Sequence, residues 1–252
     1  MKLKIVSFNI RRRDDRNGNS ILRRSLRLKK VLENYSPDLI GFQEYSFKWK
    51  LFIPFYFGRK YRLYSVPRST KGKFESVPIL WNKDRFDCIK KGCFWLSDTP
   101  SVESGGWDEK YNVNRICLYV ILQEKTTGKK FTLINTHFGF GDECQVKSAE
   151  LLIKYSSKIS DHPTIITGDF NMTRESAGYS AINTRLKDVN VLTVNDTRDT
   201  YHGYSPDKDR NSHIDYILVN EKVFPKDYKI IDDSVKGKYP SDHYGIYAEA
   251  EI

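Results

Sequence analysis

The sequence predicts an α/β fold in which two mostly antiparallel sheets pack face to face, with helices outside. Apolar runs of strand length dominate the chain, and they are joined partly by short turns and partly by segments with helical spacing. No Pro/Gly/Ser-rich linker, repeat or low-complexity stretch divides the 252 residues. We therefore expect a single domain over residues 1–252, long enough to bury a large core.

The individual elements follow from the spacing of the apolar residues. Helices are predicted over residues 23–35, 47–57, 146–159 and 180–186. Strands are predicted over residues 2–8, 38–42, 61–66, 75–81, 116–122, 131–136, 164–167, 214–219, 228–231 and 244–252. Pro54 is expected to interrupt the second helix, and residues 86–96 are expected to form a pair of strands around Gly92.

Polar residues stand at or beside the ends of several apolar runs. In chain order these motifs are Asn9, Gln43-Glu44, Asn135-Thr136-His137, Gly168-Asp169-Phe170-Asn171, Ile214-Asp215-Tyr216 and Ser241-Asp242-His243. Asp169 and Asn171 are two residues apart at the exit of a buried strand, so both side chains can face the same way. Such residues suit a phosphate site better than a core, although an Asx turn that caps the next helix is the structural alternative.

In this order, the motifs resemble those of the endonuclease/exonuclease/phosphatase superfamily, the deoxyribonuclease I-like fold. The resemblance runs from residue 5 to residue 243; no single motif is specific, but six in the right order are. It implies a four-layer α/β sandwich with the active site at the strand ends along one edge. The segments Gly92–Pro100 and Asn114-Arg115, with Trp107, resemble a compact bacterial branch that is similar to deadenylase catalytic domains.

Glu44 is the best candidate for a metal ligand, because it is a carboxylate that follows a strand and belongs beside Asn9. Mg²⁺ prefers oxygen ligands and keeps several waters, so one or two carboxylates suffice. Asn9 and Asp242 would complete the site, partly through water, and Mn²⁺ is the second candidate ion. The absence of a Cys/His cluster from the sequence disfavours zinc. The alternative for Glu44 is a surface carboxylate at a strand end.

The catalytic assignments come mainly from the resemblance. His243 and Asp215 form a predicted dyad, in which the carboxylate raises the basicity of the imidazole and the histidine contacts the scissile phosphate. Asp169 would align or deprotonate the attacking water. Asn171 would donate hydrogen bonds to the oxygens of the pentacovalent phosphorus.

The resemblance also implies three supporting residues. His137 would contact the phosphate or serve the leaving group, and Glu75 would support it. Arg115 matches a strand-opening arginine that faces phosphate in several members of the family. His202 is a further substrate-binding candidate, with a structural or merely exposed histidine as the alternative.

The formal net charge of +10 favours a polyanionic partner. Basic clusters include Arg11-Arg12-Arg13, close to the expected site, and Lys71–Lys73. We therefore expect a nuclease acting on DNA or RNA. A phosphatase of inositol phosphates or of another phosphorylated small molecule is the alternative, and a catalytically silent polyanion-binding module is the second alternative. A merely Lys-rich, soluble protein would also explain the charge.

Location and assembly follow from what the sequence lacks. We find no signal-peptide pattern and no apolar run of the ~20 residues that a membrane span needs. The four cysteines form no CxxC pair, which is typical of reduced, structural thiols. We expect a cytoplasmic protein without stable membrane association. We also expect a monomer, because the site needs only one chain.

Overall fold

The structure of the protein, a computed structural model, describes residues 1–72, 74–206 and 211–252. The basic cluster Lys71–Lys73 therefore lies partly outside the described residues. The strands are β1 (Lys2–Asn9), β2 (Leu39–Gln43), β3 (Tyr45–Ser46), β4 (Tyr61–Tyr64), β5 (Glu75–Ser76), β6 (Ile79–Asn82), β7 (Phe86–Trp95), β8 (Ile116–Glu124), β9 (Lys130–His137), β10 (Thr164–Asp169), β11 (Lys187–Asp188), β12 (Asp215–Val219), β13 (Phe224–Ile231) and β14 (Gly245–Glu251). The helices are α1 (Ile21–Tyr35), α2 (Trp49–Phe57), α3 (Asp142–Ile159), α4 (Ala177–Ile182) and α5 (Val189–Leu192).

Two six-stranded sheets form the body of the protein. One has the order β13-β14-β1-β2-β6-β4 and the other the order β11-β12-β10-β9-β8-β7. Each contains one parallel pair, β1 with β2 and β9 with β10, and its other pairs are antiparallel. The predicted sandwich of two mostly antiparallel sheets is confirmed.

Alternating side chains of the central strands separate three apolar layers. Ile5 of β1 and Ile165 of β10 point into a core shared by the two sheets. Their neighbours point outward: Val6 packs with α1 and α2, and Ile166 packs with α3 and α4. This period of two produces the four layers, because each central strand is covered on both faces. Of the described residues, none belongs to a helix with the length and apolar character of a membrane span.

A buried polar network joins the two sheets near the ends of the parallel pairs. Asn135 Nδ2 donates to the carbonyls of Phe42, Val77 and Pro78, at 2.8–3.1 Å. Its Oδ1 accepts from Gln43 Nε2 at 2.8 Å and from Thr167 Oγ1 at 3.0 Å. The asparagine thus fixes β2 and β6 against β9 and β10, because a displaced strand would leave buried polar groups without partners.

Two local predictions were wrong. Residues 86–95 form one strand with an irregular register between Cys88 and Lys90, and Gly92 does not break it. Gly92 instead leaves room for the Tyr119 ring, whose Oη would lie 2.5 Å from an added Cβ. Helix α2 continues through Pro54, whose own carbonyl still accepts a hydrogen bond from Gly58 N at 2.9 Å.

We predict that Gly41→Ala destabilises the fold by about 1–3 kcal/mol, as overpacking does in a close-packed interior. An added Cβ would lie 2.2 Å from Thr167 Oγ1 and 2.6 Å from Asn135 Oδ1, so the network between the sheets would have to open. Chemical denaturation measures the free energy of unfolding. Gly105→Ala is the control, because its Cβ would meet only Asn114 Oδ1, at 4.0 Å. A Gly41→Ala protein as stable as wild type would contradict this role of the network.

Candidate active site

The strand registers bring the predicted motifs together. In the parallel pairs, Asn9 of β1 lies beside Gln43 of β2, and Asp169 of β10 lies beside His137 of β9. The antiparallel partner β12 begins with Asp215, opposite Asp169. Because parallel strands end at the same edge of a sheet, the polar residues that follow them form one cluster.

A cavity of about 710 Å³ opens over this cluster. The predicted residues that line it are Glu44, Glu75, Arg115, His137, Asp169, Asn171 and His243. The floor and walls also carry five further basic residues, which are Arg11, Arg12, Arg13, Arg68 and Lys110. A cavity with acidic groups on its floor and cations around them suits a ligand that carries phosphate.

His243 is held by Asp215 as the sequence predicted. Its Nδ1 lies 2.9 Å from Asp215 Oδ2, and its Nε2 lies 3.8 Å from Asp169 Oδ2. Burial by itself lowers the pKa of His243, but the Asp215 carboxylate outweighs that effect and raises the pKa to about 10. The imidazole is therefore charged at neutral pH and can donate a hydrogen bond to a phosphate oxygen.

Asp169 is the central carboxylate of the cluster. Its Oδ2 accepts from Asn9 Nδ2 at 2.8 Å, and its Oδ1 accepts from the backbone N–H of Asn171 at 3.0 Å. Burial, followed by the nearby Asp215 carboxylate, raises the pKa of Asp169 above its ordinary value. A carboxylate whose pKa is raised toward neutrality is a more effective general base.

His137 and Asn171 hold each other at the other side of Asp169. Asn171 Nδ2 lies 3.0 Å from His137 Nε2 and donates to the carbonyl of Phe138 at 2.9 Å. An amide nitrogen has two hydrogens, so both are used within the protein. Asn171 can donate to a substrate only by releasing one of these partners. Burial, together with Arg115 and Arg68, lowers the pKa of His137 well below its ordinary value, so this histidine is neutral.

The prediction that Glu75 supports His137 requires a correction. The Glu75 carboxylate accepts from Arg68 Nη1 at 2.7 Å and from Arg12 Nη1 at 3.1 Å. His137 Nδ1 is buried and has no hydrogen-bond partner in the structure. Two guanidinium groups reach the carboxylate from flanking loops and offer it stronger, charge-assisted bonds than a neutral imidazole does. Glu75 thus positions arginines along the cavity wall.

Arg115 lines the cavity as predicted and is fixed by a partner that the sequence analysis missed. Its Nε and Nη2 lie 2.8 and 2.7 Å from Asp108 Oδ2. Both side chains are almost fully buried. Asp108 comes from a polar, glycine-containing loop with no periodic pattern, so nothing local in the sequence marks it as a partner.

The structure does not bring His202 to the cavity. Its ring is fully buried and stacks on Tyr244, with ring centroids 4.2 Å apart. Burial and the charge on His243 lower the pKa of His202 to about 4. A neutral, inaccessible imidazole has no means of binding a substrate phosphate, so we do not retain the substrate-binding prediction. The structural alternative describes this residue.

The three residues predicted to bind a metal, Asn9, Glu44 and Asp242, lie around Arg11. Asn9 Nδ2 lies 3.5 Å from Glu44 Oε1, which brings these two residues together. Asp242 does not line the cavity directly; its Oδ2 pairs with Arg11 Nη1 at 3.1 Å. Arg11 also feels the charge of Glu44, so its guanidinium partly balances the acidic cluster.

Hard oxygen donors dominate this side of the cluster, so the donor set fits Mg²⁺ or Mn²⁺ better than zinc. Glu44 faces the cavity, and the Asn9 amide links it to Asp169. One ligand atom each from Asp169, Asp215 and His243 also lie within 4.8 Å of one another. We do not assign a cation to that group, because Asp215 is already hydrogen-bonded to His243 Nδ1, at 2.9 Å.

A buried arginine that the sequence analysis missed shapes the basic loop at the rim. Arg24 donates to the carbonyls of Ile10, Arg11, Arg13 and Asn19, at 2.5–3.0 Å. It thereby holds residues 10–19 around its guanidinium and turns Arg11 and Arg12 toward the cavity. A signal existed in the sequence, because Arg24 falls four residues before Leu28 on the apolar face of α1.

Two site residues adopt a left-handed backbone that non-glycine residues rarely use. Glu44 has a φ of 58° and Asn171 a φ of 50°. Each follows the last residues of a strand, and the change in direction aims the side chain into the cavity instead of along the sheet. Such backbone strain is concentrated at functional sites, where the surrounding structure compensates for it.

Comparisons with known proteins agree with this fold. The sequence model of the endonuclease/exonuclease/phosphatase family matches residues 145–243. A crystal structure of a protein of that family from Bacteroides thetaiotaomicron is 28% identical, with a TM-score of 0.90, and the match covers 99% of this chain and 97% of that one. A mannosyl-6-phosphatase from the same organism is also 28% identical, with a TM-score of 0.87 and coverage of 99% and 100%.

A curated relative adds a nuclease to these matches. The 3′-5′-exoribonuclease subunit of the CCR4-Not complex of Candida albicans is 26% identical over 64% of this chain and 24% of that protein. The chain spans about half, or less, of the length of the curated relatives it matches.

We predict that Arg24→Met loosens the loop of residues 10–19, because four carbonyls then lose a buried, charged donor. The expected cost is about 3 kcal/mol of stability, and trypsin should cut after Arg11, Arg12 or Arg13 several-fold faster than in wild type. Limited proteolysis followed by mass spectrometry locates the cuts. Arg62→Met is the control, because Arg62 is an exposed arginine of β4. Unchanged cleavage in Arg24→Met would show that the loop of residues 10–19 keeps its conformation without Arg24.

Proposed function

We propose that this chain, which resembles the endonuclease/exonuclease/phosphatase family, is a divalent-metal-dependent phosphoester hydrolase, specifically a nuclease that cleaves phosphodiester bonds of DNA or RNA. One observation carries the proposal: Glu44, Asp169, Asn171, His137 and His243 lie at the ends of four different strands and line a single cavity. Arginines surround them and supply the positive charge that a phosphate needs.

The residues of the chain divide the reaction between them. Asp169 takes the proton of a water that attacks phosphorus, since its raised pKa matches that role. His243, kept charged by Asp215, donates to a non-bridging oxygen of the phosphate. Arg115 and Asn171 offer further donors as negative charge develops there. His137 lies beside Asp169, with 3.4 Å between Nε2 and Oδ2, and serves the leaving-group side.

Glu44 and Asn9 would hold the metal, with Asp242 taking part through water. When bound, Mg²⁺ offsets the negative charge of the phosphate and lowers the pKa of a coordinated water. Mn²⁺, with similar oxygen preferences, is the alternative ion. A cation beside Glu44 would also favour the charged form of Asp169, because an opposite charge nearby lowers a carboxyl pKa.

The nuclease assignment is supported by charge and by relatives. The net charge of +10 and the arginines of the cavity favour a polyanion. One relative is an exoribonuclease subunit and another is the RNA exonuclease NGL1 of Saccharomyces cerevisiae. We propose further that the protein acts as a monomer, because one chain supplies every residue of the site. We also propose that it acts in the cytoplasm, without stable membrane association.

Hydrolysis of a phosphomonoester is the second candidate function, favoured by the similarity to the mannosyl-6-phosphatase. In this case the cavity would surround one phosphate group of an inositol phosphate or of another phosphorylated small molecule. A catalytically silent polyanion-binding module is the third. The complete set of acidic residues and histidines opposes it, since a binding module needs only the cations.

Product identification with Mg²⁺, with and without EDTA, tests these functions. The substrates are plasmid DNA, abasic duplex DNA, poly(A) RNA, inositol polyphosphates and mannose 6-phosphate, in separate reactions. We expect nucleotide products or nicked plasmid. We expect EDTA to abolish these products, because it removes the cation that offsets the negative charge of the phosphate. Free phosphate from the small molecules alone would establish the phosphatase. Binding without turnover in every reaction would establish the module.

We predict that single substitutions in the cluster lower the rate at least ~10²-fold while leaving the fold intact. The substitutions are Glu44→Gln, Asp169→Asn and His243→Ala. The matched controls are Glu33→Gln, Asp161→Asn and His162→Ala, which change the same residue types outside the cavity. Turnover numbers and circular dichroism are measured for all six proteins. Near-wild-type turnover in any of the first three would contradict the roles assigned here.

A further inference from the structure

We infer that the cavity contains a nucleobase-binding subsite, formed by Tyr111 and Phe140, beside its phosphate-binding floor. The substrate would then be a nucleotide, or a nucleotide at an accessible end of a nucleic acid, and not an inositol or sugar phosphate. This inference rests on the proposed hydrolase function and specifies its substrate class.

The cavity wall is asymmetric in its chemistry. Most of its guanidinium groups come from two loops, residues 11–13 and Arg68, on the side of Glu44 and Glu75. Other parts of the lining are largely aromatic or apolar and include Tyr111 and Phe140, with Lys110 beside them. An inositol polyphosphate carries charge on all sides and would favour cations all around it. A nucleotide carries charge at one end and a planar, apolar ring at the other, which matches the two kinds of wall.

Tyr111 is unusually accessible for so large an aromatic residue, with 57% of its surface exposed. Its ring meets Phe140 edge to face, with centroids 5.4 Å apart and planes at 77°. Phe140 is half-buried, and Lys110 Nζ lies over both rings, 4.4 Å from the Phe140 centroid and 5.3 Å from the Tyr111 centroid. An exposed aromatic side chain such as Tyr111, with a cation beside it, is the kind of element on which the bases of single-stranded nucleic acids stack.

The aromatic wall is fixed to the phosphate side through one carboxylate. Asp108 Oδ1 accepts the backbone N–H groups of Lys110 and Tyr111, at 3.1 and 3.0 Å. Its Oδ2 binds Arg115, at 2.7 and 2.8 Å. The position of the tyrosine backbone is thus tied to the arginine that lines the floor. A base and a phosphate bound at the two places would be held at a defined separation.

Two glycines allow the loop to sit so close to the cavity. An added Cβ on Gly139 would lie 2.9 Å from Asp108 Cβ, and one on Gly141 would lie 2.3 Å from the Glu109 carboxyl carbon. The backbone also joins the two segments, since Glu109 N donates to Phe140 O at 3.2 Å. Tyr111 and Phe140 therefore form one wall built from two packed segments, and not two independent surface residues.

Equilibrium binding of small probes tests the subsite. Adenosine 5′-monophosphate, ribose 5-phosphate and mannose 6-phosphate are titrated by calorimetry in EDTA, which suppresses metal-dependent turnover. We expect wild type to bind the adenosine nucleotide about five- to 150-fold more tightly than ribose 5-phosphate, as one stacked base provides. Tyr111→Ala should reduce that ratio at least about fivefold. Tyr111→Phe should keep it, and so should Phe55→Ala, which removes an exposed aromatic ring outside the cavity.

Three results would overturn the subsite. The first is that wild type binds adenosine 5′-monophosphate and ribose 5-phosphate with equal affinity, and the second is that Tyr111→Ala leaves the ratio of these two affinities unchanged. The third is that Tyr111→Ala loses as much affinity for mannose 6-phosphate as for adenosine 5′-monophosphate. The last would identify a platform for sugar rings. Hydrolysis that remains sensitive to EDTA in the substrate panel would then show that only the subsite is wrong. Absence of any metal-dependent hydrolysis, with the affinity ratio intact, would instead reject the proposed function.

Discussion

The site depends on the alignment of two sheets, and Asn135 is the side chain that enforces it. Its amide reaches carbonyls of the first sheet, while its own strand lies beside β10 in the second. Gly41 leaves room for this contact. A slip of one residue in either sheet would bury unpaired polar groups, at a cost of about 1–3 kcal/mol each. The strand ends are therefore held at one level, where Asn9 and Asp169 meet.

Charge balance is the second constraint on the cluster. Asp169, Asp215, Glu44, Glu75 and Asp242 would repel one another if they were left uncompensated in a partly buried site. Fixed cations compensate part of this charge: His243 pairs with Asp215, Arg11 with Asp242, and Arg12 and Arg68 with Glu75. These cations serve the apo protein and then remain available to a phosphate. Stability and function thus draw on the same groups, because both require positive charge at this edge of the sandwich.

Local signals in the sequence predicted the sandwich, and together with the family resemblance they predicted the acidic residues and histidines that line the cavity. Period-two and continuous apolar runs mark strands, and a polar residue after such a run, as at Asp169, marks a strand end. Contacts between distant loops leave no such signal. The partners of Glu75 and Arg115 depend on how two loops fold over the edge, and that is set by the buried Arg24 and Asp108. Nothing local in the sequence shows that the helix continues through Pro54. Nor does the sequence show that Gly92 makes room for the Tyr119 ring on the neighbouring strand.

The measurement that tests the account most directly is anomalous diffraction from crystals soaked in Mn²⁺, with wild type and Glu44→Gln compared. The account predicts one strong peak within ligand distance of the Glu44 carboxylate in wild type, and its loss in the variant. A peak among Asp169, Asp215 and His243 that survives in Glu44→Gln would contradict the assignment of the metal site. The absence of any peak in the cavity at saturating Mn²⁺ would contradict metal-dependent hydrolysis as the function of this site.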